Sequence, residues 1–307
     1  MKKLTLSLLI SCLSSILLAV STPPILPIQE RIEKGLYACF TAQSAEPLAS
    51  LYTELEKQHT PLASYWMAYT KFYEAIYDLK TQKVDLAKNC IQQAITLLEN
   101  TKNKTSEDYA LLAYIQSFSL QYKTGMEAGK ISSEVAANGQ KALQLDSTNL
   151  RAWYIVGSHD FYLPATYGGG QKAESYLKKA IELSPQPVTN PWFPSWGKEE
   201  AYDLLIRFYL NKEKTAEARK YYEALKASYP ESYLIVQYEE KFIFFSLFIL
   251  FGSYPIKAPV RERSGHEMQS FICRECLSEH PTKLLSPPIF ITPKECCILV
   301  CNIIFKH

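Results

Sequence analysis

The chain has almost no charge of one sign to spare. Its 33 Lys and Arg face 31 Asp and Glu, for a formal net charge of +2. A balance that even steers a protein neither toward nucleic acid nor toward an anionic membrane surface. Cysteine is nearly absent from the central part: of eight in all, only Cys39 and Cys90 lie between residues 22 and 240, and five lie beyond residue 270. Disulfides therefore do not staple that part together. After residue 21 no uncharged apolar run approaches the roughly 20 residues that a spanning helix needs. Paired carboxylates, a metal-ligand set and a nucleophile–base pair are also missing from the middle of the chain. The sequence thus predicts a protein that is not an enzyme, with no catalytic residue, no metal and no cofactor.

What is present is ordinary in bulk and organised in detail. Hydrophobic residues make up 47% and charged residues 21% of the 307 residues, and Tyr is abundant at 21. Met1-Lys2-Lys3, the apolar stretch from Leu4 to Val20 and the small residues Ala19 and Ser21 have the order of a secretory signal over residues 1–21. Two other readings stay open: an uncleaved anchor of about 17 residues, and a lipoprotein box at Leu9-Ile10-Ser11-Cys12. The first reading sends the chain to the periplasm or the cell surface. Pro23, Pro24 and Pro27 then make residues 22–28 an extended linker.

From residue 29 to 240 the apolar residues follow a helical period. Helices are expected at about 28–40, 45–58, 61–79, 82–100, 106–124, 130–145, 149–162, 171–184, 197–211 and 214–228. Between Lys198 and Pro230, the residues Tyr202, Leu205, Ile206, Tyr209, Ala218, Tyr222, Leu225 and Pro230 alternate large and small. Small residues let two antiparallel helices approach, aromatics fill the space between them, and the Pro ends the second helix. This resembles a tetratricopeptide repeat (TPR). Three looser copies precede it. Ala75, Ala87, Ile91 and Ala94 form one, with Lys71 and Asp78 at normally large positions. Ser119, Val135, Gly139 and Ala142 form the second, loosened by inserted residues around Gly125 and Gly129. Trp153, Val156, Gly157, Ala173, Leu177, Ala180 and Pro185 form the third. The fold expected is all-α, a right-handed α-solenoid of TPR-like helical hairpins.

Two irregular stretches flank the third copy. Tyr167-Gly168-Gly169-Gly170 precedes a helix, where three glycines can present amides to a carboxylate or phosphate, or simply widen a turn. Pro187 to Lys198 carries Trp192, Phe193 and Trp196, which either cover a pocket or seal a gap between repeats. Because both flank one hairpin, they are expected to lie near each other. The pattern Asn149-Leu150-Arg151-Ala152-Trp153-Tyr154, Phe161-Tyr162-Leu163-Pro164, Tyr167 to Gly170 and Pro194-Ser195-Trp196-Gly197-Lys198 is similar to a group of exported TPR proteins of Bacteroidota-type bacteria. That resemblance covers about residues 28–240. It implies a helical-repeat fold and no reaction.

The site expected from these motifs comprises Trp153, Tyr162, Tyr167, Gly168, Gly169, Gly170, Trp192 and Trp196, contacting a protein or peptide. The function expected is a non-catalytic scaffold of the cell envelope offering its concave face. The alternative is an accessory solute-binding component of an envelope transport system, with the two loops forming a pocket. Assembly through the outermost helices stays open. His159-Asp160 has no supporting constellation for acid–base work. Residues 241–307 change character, with an apolar run from Phe242 to Phe251, scattered Pro, and Cys273-Arg274-Glu275-Cys276 without an orderly second pair. They read as a capping or interfacial segment, or as a tail without a selected fold.

Overall fold

The computed structural model describes residues 26–184, 190–239 and 241–242. The signal segment, most of the linker, Pro185, Pro187 and the Cys/Pro-rich tail with its Cys-x-x-Cys lie outside the described residues. Among these residues ten bounded α-helices follow in order: α1 (Ile28–Ala42), α2 (Glu46–Glu56), α3 (Ala63–Lys80), α4 (Val84–Asn100), α5 (Ser106–Ser119), α6 (Gly125–Leu145), α7 (Leu150–Tyr162), α8 (Ala173–Glu182), α9 (Lys198–Asn211) and α10 (Thr215–Ser228). Residues 233–239 and 241–242 are helical as well, and no strand occurs among the described residues.

Consecutive helices pair into five hairpins, and each hairpin packs on the next. The first helix of a hairpin also touches the first helix of its neighbour, from α1 to α3, α5, α7 and α9, whereas the second helices meet one another far less. A stack in which one row is closer than the other must curve toward the closer row. The odd-numbered helices therefore line the inner face of the α-solenoid.

Small residues set the spacing, as the repeat pattern requires. Ala75, Ala87, Ala94, Ala142, Ala173, Ala180, Ala201 and Ala218 are all fully buried. The turns α3–α4 and α9–α10 share one geometry, with Gln82 and Glu213 at positive φ and Lys83 and Lys214 donating back to the carbonyls of Asp78 and Tyr209. Helix starts are capped in several ways. Thr105 and Asp108 exchange hydrogen bonds at α5, and Asn149 Oδ1 accepts from the amides of Arg151 and Ala152 at α7.

Two expectations change. The residues inserted around Gly125 and Gly129 do not form a loop but extend α6 to 21 residues. That first stretch stands clear of the stack, with Met126 94% exposed and an exposed Lys123–Glu127 ion pair supporting the start. A hairpin not counted among the repeats, α1–α2, opens the stack. At the far end the helical residues continue past 240, and Phe242 is buried against Tyr222 and Tyr238. Lys71 departs from the repeat pattern without strain, since its ammonium pairs with Glu74 at 2.7 Å and lies over the Tyr52 ring.

Candidate partner-binding site

The two irregular stretches sit at opposite ends of one helix. The glycine turn follows the C-terminus of α7, while the tryptophan loop returns to its N-terminus at Leu150 and Arg151. Thirteen residues of α7 separate them, about 20 Å at the rise of an α-helix. They do not form a shared pocket.

The glycine turn has no amide left for an anion. Tyr167, Gly168 and Gly169 donate to the carbonyls of Pro164, Ala165 and Pro164, and Gly170 donates to Asp160. The start of α8 is already served by a carboxylate, because Asp160 Oδ2 accepts from the amides of Lys172 and Ala173 at 2.8 and 2.7 Å. Asp160 is thus a helix cap reaching across the hairpin. Its neighbour His159 meets Ser132 Oγ at 2.9 Å, and burial holds its imidazole below the usual value. Gly169 is required by contact: a Cβ there would fall 1.8 Å from the Leu163 carbonyl oxygen. The turn so fixed holds Tyr167 out in solvent, 77% exposed.

The remaining aromatics of the motif are packed into the hairpin. Trp153 donates from Nε1 to the Ser147 carbonyl and lies against Tyr176. Tyr162 is half-buried beneath the Arg207 guanidinium.

The tryptophan loop does more than seal neighbouring repeats. Residues 190–197 run across the inner face and touch four hairpins. Ile28 of α1 donates its amide to Pro191 O at 2.8 Å. Gln29 Oε1 accepts from Ser195 N, Ser195 Oγ and Trp196 N at 2.9, 3.1 and 3.1 Å. Trp66 of α3 donates from Nε1 to Trp192 O at 2.9 Å. Trp196 itself is 3% exposed and donates from Nε1 to Tyr65 Oη at 2.7 Å. Its ring packs on Tyr69, Tyr114 and Tyr154, from α3, α5 and α7. It is an anchor of the loop, out of reach of a partner while the loop is seated.

Arg151 holds the loop's end. Its side chain is 1% exposed and pairs bidentately with Glu107 of α5 at 2.6 and 2.5 Å, with Nη1 donating to Trp196 O. Burial works against the guanidinium's charge, and Glu107 more than offsets it. Gly197 lies so close that a Cβ would come 2.8 Å from Arg151 Cγ, and its φ of +109° is one that other residues avoid. Lys198 then bonds the Leu183 carbonyl, closing the linker. The groove residues Gln29, Tyr65, Tyr69, Tyr114 and Arg151 were not singled out by the sequence as a site. Tyr65, Tyr69, Phe72 and Tyr73 do recur at helical spacing, a signal of one aromatic face.

These features define a helical-repeat solenoid whose inner face is filled by its own linker. No protein-family model and no curated protein matches the sequence. Among solved structures, the chain is similar to TTC0263, a thermophilic TPR protein of Thermus thermophilus, at 20% identity and a TM-score of 0.47, covering 70% of this chain and 99% of that one. It is similar to the HusA haemophore from Porphyromonas gingivalis at 20% identity and 0.44, covering 60% and 94%. A third is YrrB, a TPR protein with an unusual peptide-binding site, at 13% identity and 0.32, covering 68% and 99%.

Proposed function

We propose that the chain is a non-catalytic scaffold of the cell envelope that engages a protein or peptide partner. The observation that carries this reading is Tyr167, a large aromatic 77% exposed on a turn whose amides are all bonded internally. An exposed Tyr on a fixed backbone has only two side-chain torsions to lose on binding and is a common centre of interface energy. The residues that could have suggested chemistry, His159 and Asp160, are spent on Ser132 and on the start of α8. No helix among the described residues is long and apolar enough to cross a membrane. The envelope location rests on the signal-like order of residues 1–21. A solute pocket built from both loops has no support, because they lie at opposite ends of α7.

The test is a photo-crosslinking amino acid at position 167 in intact cells, with fractionation of the same cells. A discrete covalent adduct in the envelope fraction is expected, weakened in a second variant carrying Pro164→Ala to loosen the turn. Protein confined to the cytosol, or no adduct at 167, overturns the reading.

A further inference from the structure

The linker 190–197 is bound to the inner face in the manner of a peptide ligand. It has neither helix nor strand. Its polar contacts run mostly through main-chain groups: the carbonyls of Pro191, Trp192 and Trp196 accept from Ile28, Trp66 and Arg151, and the amides of Ser195 and Trp196 donate to Gln29. One side chain, Trp196, supplies the buried anchor, and its pocket is built from rings on three hairpins. The receptor groups are themselves held in place. Gln29 donates from Nε2 to Glu33, which leaves its Oε1 aimed at the loop, and Arg151 is fixed by Glu107. Pro191 and Pro194 stiffen the segment, which opens with a turn closed by Phe193 N donating to Asn190 O at 3.0 Å, and reduce the entropy lost on seating it.

We propose that the inner face is a recognition groove for a short, Trp-bearing peptide that opens with a turn, and that its resident occupant is residues 190–197 of the same chain. The groove is closed in cis. A tethered segment presents itself at an effective concentration on the order of millimolar, so a free peptide of the same chemistry reaches the groove only when the loop is released. This does not depend on Tyr167, which lies at the other end of α7, and either idea can fail without the other.

The experiment uses a fluorescein-labelled octapeptide with the sequence of residues 190–197, blocked at both ends, titrated with the full chain and followed by anisotropy. Two variants release the loop differently: Trp196→Ala removes the anchor, and Gly197→Ala pushes a methyl group into Arg151 while keeping the anchor. Both are expected to bind the peptide on the order of tenfold or more tightly than the unmodified chain. A control peptide with Ala in place of its second Trp is expected to bind neither. Variants that keep their helical circular dichroism yet bind no better than the unmodified chain overturn the proposal. So does loss of helical structure in both, which would make the loop a permanent part of the core. Equal binding of the control peptide overturns the assignment of Trp196 as the recognised side chain.

Discussion

An alanine at position 169 would place its Cβ 1.8 Å from the Leu163 carbonyl oxygen, a backbone atom that cannot swing aside. Position 129 offers a contrast, since its glycine lies in α6 with nothing within 4 Å of where a Cβ would stand. In urea denaturation Gly169→Ala is expected to cost at least about 1–3 kcal/mol, while Gly129→Ala gains roughly 0.5–1 kcal/mol. Equal effects would contradict the geometry of the turn. A second residue-level prediction concerns Asp78, which is 4% exposed and has Cys90 Sγ 3.9 Å away. Burial, aided by Glu74, raises its carboxyl above the ordinary value of 3.8. A raised folded-state value favours the neutral form. Its contribution to stability is therefore complete below 3.8 and withdrawn as pH climbs through the raised value. Asp78→Asn should differ little from the parent near pH 4 and become the more stable of the two toward pH 7. A gap in denaturation midpoint that stays constant with pH would refute this.

Among the elements, α5 and α7 are joined by the Arg151–Glu107 pair, which also holds the loop. Arg151→Met leaves a largely buried carboxylate without its partner and should cost about 3–5 kcal/mol. Adding Glu107→Gln to the same chain should recover much of that loss. If the double variant is no better than the single one, the pair is not what holds α5 to α7. The sequence disclosed the helices well because their apolar residues keep a period of three and four, as in Val84, Ala87, Ile91, Ala94, Ile95 and Leu98. It disclosed the start of α6 poorly. Gly125 and Gly129 read as a break, yet nothing packs against them and the helix runs outward unopposed. Local pattern also hid the role of Arg151 and Gln29, because their partners lie 44 to 167 positions away along the chain. For the glycine turn, composition left open both an anion site and a widened turn. In the fold, Asp160 from the preceding helix already occupies the start of α8, a contact between residues twelve and thirteen positions apart that composition does not encode.

In the whole molecule, the five hairpins are tied together twice, by packing between neighbours and by a linker spanning the inner face from α1 to α9. Nearest-neighbour stacking alone would let a solenoid unravel from either end. The linker adds long-range contacts that couple the first hairpin to the fourth. The periodic sequence made the stack legible, whereas the linker's path depends on contacts between parts far apart in the chain. The expectation of an open concave face gave way for that reason. Hydrogen exchange at the amides of Ser195 and Trp196 tests this account most directly, since both donate to Gln29. Protection at both, comparable to that of the core helices α3 and α5, is the predicted result. Exchange at the rate of an unstructured linker would contradict it.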